Sequence, residues 1–118
     1  MRLGKKKTKE PVIATRLEME IELMQRHVEM LKTIIEHQPI GIIKLSEILN
    51  YPQHKVRYSL RLLEQDGLIE PTPEGAVTTD KVYPFLKKIR DALRKMEKTL
   101  QSLEEMIEEA EKEAKEKK

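Results

Sequence analysis

The sequence predicts a mainly α-helical chain that carries one small β-hairpin and ends in a long helix. Three observations carry this expectation. Apolar residues recur at helical spacing across residues 12–37 and 44–66, a Pro73-Glu74-Gly75 turn separates two short strand-like runs, and an unbroken apolar heptad occupies residues 82–117. At 118 residues the chain has room for one domain and an extension, given ~100–200 residues per domain. The expected division is a basic arm over 1–10, a compact domain over 11–80 and a dimerisation helix over 81–118.

Arg2, Lys5, Lys6, Lys7 and Lys9 crowd the first ten residues with almost nothing apolar among them, so this arm is expected to be disordered. A long helix follows from about Val12 to His37. Leu17, Ile21, Met24, Val28, Leu31 and Ile35 form its stripe, which Leu23, Met30 and Ile34 widen. The half near His37 is wide enough to cover a core; the earlier half is expected to pack on another helix. His37, Gln38 and Pro39 end it. Ile40 to Ile43 is then a short apolar run that could supply a first strand.

Residues 44–70 form the stretch around which the rest is organised. Leu45, Ile48 and Leu49 give a first short helix one buried face. Asn50 tolerates the left-handed backbone that ends a helix, and Pro52 cannot continue it, so the turn is short. A second helix over about 53–66 buries Val56, Leu60 and Leu63 and stops at Gly67, where a residue without Cβ reverses the chain cheaply. Its other face carries Gln53, His54, Lys55, Arg57, Tyr58 and Arg61. Two short helices joined in this way read as a helix-turn-helix whose second helix presents a basic, polar face.

This stretch resembles the winged helix-turn-helix of the ArsR, MarR and Lrp type of bacterial and archaeal transcription regulators. Leu45, Glu47, Leu49, Val56, Leu60, Leu63, Gly67 and Leu68 fall where that pattern expects them. The resemblance covers about the middle half of the chain and implies a fold and DNA binding. Pro52 stands where the family usually has Ser or Thr. Leu68–Thr72 and Ala76–Thr79 are the expected strands of the wing, which contains Glu70 and Glu74 but no Lys or Arg. A role in closing the core is therefore expected of it rather than a grip on DNA.

In the last segment Val82, Leu86, Ile89, Leu93, Met96, Leu100, Leu103, Ile107, Ala110 and Ala114 step four, three, four, three. A helix of this extent is ~50 Å long at ~1.5 Å per residue, beyond the width of so small a domain, so most of it must pack elsewhere. Pro84 complicates the start: the helix either begins there, with Pro as its first residue, or begins earlier and is kinked at it. Lys87, Lys88, Arg94 and Lys95 accompany the first half of the seam, and Glu108, Glu109 and Glu116 the second. An antiparallel homodimer could match Arg94 with Glu108, Lys95 with Glu109 and Lys88 with Glu116, although Lys87 would meet Lys115. Ile89, Leu93, Met96, Leu100, Leu103 and Ile107 are the expected dimerisation residues. The ion pairs, worth ~0.2–1 kcal/mol each, would choose orientation while the apolar seam supplies stability.

Composition removes several classes of chemistry. With no Cys, disulfides, thiolate metal sites and thiol redox sensing are excluded. His27, His37 and His54 lack a ligand spacing, so no metal or cofactor is expected. There is no glycine-rich phosphate loop, and Ser46, Ser59 and Ser102 have no nucleophile context; an enzyme is not expected. The basic start is not followed by an apolar run and no membrane-length stretch exists, so a cytoplasmic protein is expected. Charged residues make up 37% of the chain, a composition that matches heat-adapted proteins and, with the resemblance, points to an archaeal source.

The function expected from these readings is a homodimeric, sequence-specific transcriptional regulator that binds double-stranded DNA. Gln53, His54, Lys55, Arg57 and Tyr58 would meet bases and phosphates, Arg61 the backbone, and Lys5, Lys6 and Lys7 would add sequence-independent affinity. Two alternatives are an architectural or nucleoid protein that binds any duplex and an interaction module that binds no DNA. Nothing in the sequence demands or excludes a small effector.

Overall fold

The computed structural model describes residues 12–117, so the expected contacts of Lys5, Lys6 and Lys7 in the basic arm lie outside the described residues. The chain is mainly helical, in the order α1 (Val12–His37), α2 (Ile42–Leu49), α3 (Gln53–Gln65), β1 (Ile69–Thr72), β2 (Gly75–Thr78) and α4 (Val82–Glu116). It divides into two compact units, Met1–Asp80 and Lys81–Lys118. No helix among the described residues is long and apolar enough to cross a membrane.

The core of the first unit is Met30, Leu31, Ile34, Ile40, Leu45, Val56, Leu63, Leu68 and Ile69, all buried. In α1 the buried face is Met30, Leu31 and Ile34, with Thr33 beside it. Ile35, expected on that stripe, is exposed instead. The core is met by Leu31 of the heptad line together with Met30 and Ile34, which widen the stripe. In the earlier half of α1 the large apolar side chains Val12, Ile13, Leu17, Met19 and Ile21 are 52–82% exposed among the described residues.

The run Ile40 to Ile43 divides rather than forming a strand. Ile40 exchanges backbone hydrogen bonds with Ala76, its N–H donating at 3.2 Å and its carbonyl accepting at 2.7 Å. Ile42 and Ile43 already belong to α2. The reason is helical spacing: Ile42, Leu45 and Leu49 share a face and are covered, whereas Ile43 and Ile48 lie off it and are exposed. Ile48 was expected to be buried with Leu45, and that expectation is corrected. Asn50 caps α2 in the left-handed region (φ 60, ψ 38), donating its N–H to the Ser46 carbonyl. Pro52 precedes α3 as its N-cap; its carbonyl accepts the N–H groups of Lys55 and Val56.

At the other end of α3, Gly67 (φ 76) donates to the Glu64 carbonyl at 2.9 Å and Leu68 to the Leu63 carbonyl at 3.0 Å. These two bonds satisfy carbonyls that a helix end leaves open, and Leu63 and Leu68, which flank the turn, are both buried. The buried residues of α3 are Val56, Ser59 and Leu63; Leu60, expected among them, is half-buried.

The hairpin is antiparallel, pairing Ile69 with Thr78, Glu70 with Val77, Pro71 with Ala76 and Thr72 with Gly75. Its turn is therefore Pro73-Glu74, and Gly75, expected in the turn, begins the second strand. The Thr72 hydroxyl donates to the Gly75 carbonyl at 2.6 Å and accepts the Glu74 N–H at 3.2 Å. Gln38 fixes the hairpin from the end of α1: its Oε1 accepts both the N–H and the hydroxyl of Thr78.

The second unit is the 35-residue helix α4. Pro84 stands in its first turn, where no helical N–H is lost. Phe85, Leu86, Ile89 and Ala92 are half-covered; from Leu93 onward every residue is exposed. Leu93, Met96, Leu100, Leu103 and Ile107 are 42–57% exposed along one line. With Leu86, Leu93, Leu100 and Ile107 at heptad position a, the charges expected to border the seam take other places. Lys87, Lys88, Arg94, Lys95, Glu108 and Glu109 fall at b and c, while Arg90, Glu97, Glu104 and Glu111 are the residues at e.

Candidate nucleic-acid interface

The covered stripe of α3 decides what its other side displays. Because Val56, Ser59 and Leu63 face inward, Gln53, His54, Lys55, Arg57, Tyr58 and Arg61 are left exposed along the outer side. Five of these line one cleft, His54, Lys55, Arg57, Tyr58 and Arg61, and Arg26 of α1 completes it. Arg57 also lines a second cleft, with Gly41, Ile42, Ile43 and Lys44 at the start of α2 and Gln53 of α3. All six side chains expected on this face therefore share one surface.

Arg26 was not anticipated, because its heptad position places it away from the α1 seam. It is held by two neighbours, Ser59 and Tyr51. Its Nε donates to the Ser59 hydroxyl oxygen at 3.0 Å, and its guanidinium carbon lies 6.0 Å from the centre of the Tyr51 ring. His27 Nδ1 lies 3.0 Å from the same Ser59 oxygen, and its ring centre is 6.5 Å from that of Tyr58. The Tyr51 hydroxyl donates to Glu29 Oε1 at 2.6 Å, and the Ser46 hydroxyl donates to the Tyr51 carbonyl. The turn between α2 and α3 is thus tied to α1 through one aromatic side chain. Ser59 did leave a trace in the sequence, since it sits three residues after Val56 in the middle of the buried stripe.

The electrostatics follow from this packing. Burial, and then the adjacent Arg26 charge, hold His27 below its ordinary pKa of 6.5, with Asp66 opposing. Neutral His27 accepts the Ser59 hydroxyl at Nδ1, whereas a protonated ring would bring a second cationic donor to an oxygen already bound by Arg26. The Tyr51 phenol is raised above 10.0, first because its hydroxyl donates to Glu29 and then by burial. Among the described residues no carboxylate lies within 4.0 Å of Arg26, Lys55, Arg57 or Arg61, and ion pairs form elsewhere, as at Lys32 with Glu36 and Arg90 with Asp91. Four cations thus border one cleft without a neutralising partner. Among the same residues no group of three His, Asp or Glu is arranged to hold a metal ion.

No family model matches the chain, and a search of curated proteins finds no match.

Proposed function

We propose that the chain is a winged helix-turn-helix protein that binds double-stranded DNA as a homodimer and acts as a sequence-specific transcriptional regulator. The observation that carries this reading is the outer face of α3, where Lys55, Arg57 and Arg61 stand exposed beside Gln53, His54 and Tyr58, with no carboxylate within 4.0 Å among the described residues. A helix of this size enters a major groove, and its polar side chains can read base edges while its cations meet phosphates. Arg57 lines both clefts, and its planar fork matches the two acceptors of guanine. The hairpin, with Glu70 and Glu74 and no cation, closes the core and makes no strong contribution to the grip.

Homodimerisation through α4 is the second part of the proposal. Its support is the line from Leu93 to Ile107, whose apolar side chains are 42–57% exposed among the described residues. Orientation follows from charge by halves: residues 82–98 carry six cations and two anions, residues 99–116 seven anions and two cations. An antiparallel pair sets each half against its opposite and brings Leu100 and Leu103 near the two-fold axis. At the e positions it also brings Arg90 to Glu111 but Glu97 to Glu104, so the apolar seam supplies the stability and the charges choose direction. The exposed first half of α1 is expected to add to the same assembly.

Recovery of bound fragments from sheared genomic DNA, with Arg57→Ala beside the unmodified chain, tests the regulator reading. Enrichment of a few sequences that the substitution abolishes is the expected outcome. Equal recovery of all fragments would replace it with an architectural role.

A further inference from the structure

We infer that Arg26, from α1, is a phosphate-binding residue that holds a backbone phosphodiester of the bound duplex in the cleft against α3. The inference rests on the DNA-binding reading and assigns one contact within it. The cleft is lined by Arg26, His54, Lys55, Arg57, Tyr58 and Arg61, from two helices, and none of the six is a carboxylate. Gathering this much positive charge in a lining without a carboxylate opposes folding unless something else favours it, because like charges at such range repel. A phosphate oxyanion is the complement that the arrangement lacks.

Arg26 differs from its neighbours in how it is held. Lys55 and Arg61 are exposed surface side chains, whereas Arg26 is half-covered and fixed through Nε by a serine that is fully buried. That bond uses one of five N–H donors and leaves the two terminal nitrogens of the fork free. The Tyr51 ring, 6.0 Å from the guanidinium carbon, adds an outer cation–π contact on one side. The acidic neighbours do not compete for those nitrogens at ion-pair range: Glu29 accepts the Tyr51 hydroxyl, and neither it nor Glu22 lies within 4.0 Å of the guanidinium. A fork fixed before the ligand arrives loses less side-chain freedom on binding, which suits bidentate contact with phosphate oxygens. Ser59 is then a positioning residue that acts through Arg26.

Duplex binding across ionic strength, with Arg26→Gln, Arg26→Lys and Ser59→Ala, tests the assignment, thermal melts confirming that each variant is folded. Arg26→Gln is expected to weaken binding about tenfold or more at low salt, by the same factor on every sequence, and to reduce the salt slope by ~0.9. Arg26→Lys should keep the slope and lose part of the affinity, because it retains the charge without the fork. Ser59→Ala should likewise keep the slope and weaken binding less than Arg26→Gln. Unchanged slope and affinity in Arg26→Gln, with Arg57→Ala still weakening binding, would overturn this assignment and leave the DNA reading in place. Failure of the unmodified chain to bind any duplex at the lowest salt would overturn both.

Discussion

Arg26 Nε and the Ser59 hydroxyl meet at 3.0 Å across the contact between α1 and α3, and Ser59 is completely buried there. A hydroxyl at this point satisfies two polar side chains that would otherwise border the core. Ser59→Ala is expected to destabilise the chain by about 1 kcal/mol, the usual worth of one such hydrogen bond, because Arg26 and His27 keep some access to water. Ser59→Leu should cost more, ~1–3 kcal/mol, by overpacking the same site. Urea unfolding of the two variants against the unmodified chain measures both.

His27 gives the same contact a pH dependence. Its folded pKa lies below 6.5, so the unfolded chain takes up the proton first as pH falls. The contribution of neutral His27 is fully present above 6.5 and declines below it, until the folded ring is itself protonated. His27→Gln should therefore lose less stability than the unmodified chain between pH 7 and pH 5.5. Parallel urea titrations at those two values provide the comparison, and identical losses in both chains would remove His27 as the cause.

Two glycines make a paired test of the hairpin. A Cβ at Gly75, where φ is 134, would stand 2.5–2.7 Å from the backbone of Ile40, which cannot withdraw without breaking its bridge to Ala76. A Cβ at Gly41 meets nothing within 4 Å. Gly75→Ala is expected to cost more than ~2 kcal/mol, through strain at a special backbone position, whereas Gly41→Ala should cost no more than ~1 kcal/mol as an altered N-cap. Equal thermal midpoints for the two variants would contradict the packing described at Ile40.

Much of the fold was legible because single residues dictate it. Asn50 and Gly67 mark helix ends by the left-handed backbone they adopt, and the heptad over residues 82–117 could only be a long helix. What the sequence hid was choice among nearly equivalent apolar residues. Ile34 rather than Ile35 faces the core, and Ile42 joins α2 rather than a strand, because tertiary packing settles rotations that local spacing leaves open. The outer face of α3 was legible as the complement of its buried stripe. Arg26 was not, since its meeting with Ser59 spans 33 residues and no local pattern encodes that distance.

The proposed dimer makes its own demand on α4. Leu100→Asp and Leu103→Asp would place carboxylates in the centre of the seam, where desolvation opposes association. Sedimentation should shift from dimer to monomer for each at micromolar concentration, with the helical signal of the first unit retained. A monomeric unmodified chain would contradict the seam as an interface.

The most direct test of DNA binding is fluorescence anisotropy of a labelled random-sequence duplex with the purified protein as ionic strength is lowered. Binding is expected to strengthen steeply toward low salt, as when Arg26, Lys55, Arg57 and Arg61 displace counterions from phosphates. A flat anisotropy down to the lowest salt would contradict it, leave a protein-interaction module as the reading of α3 and α4, and make partner proteins the next object of search.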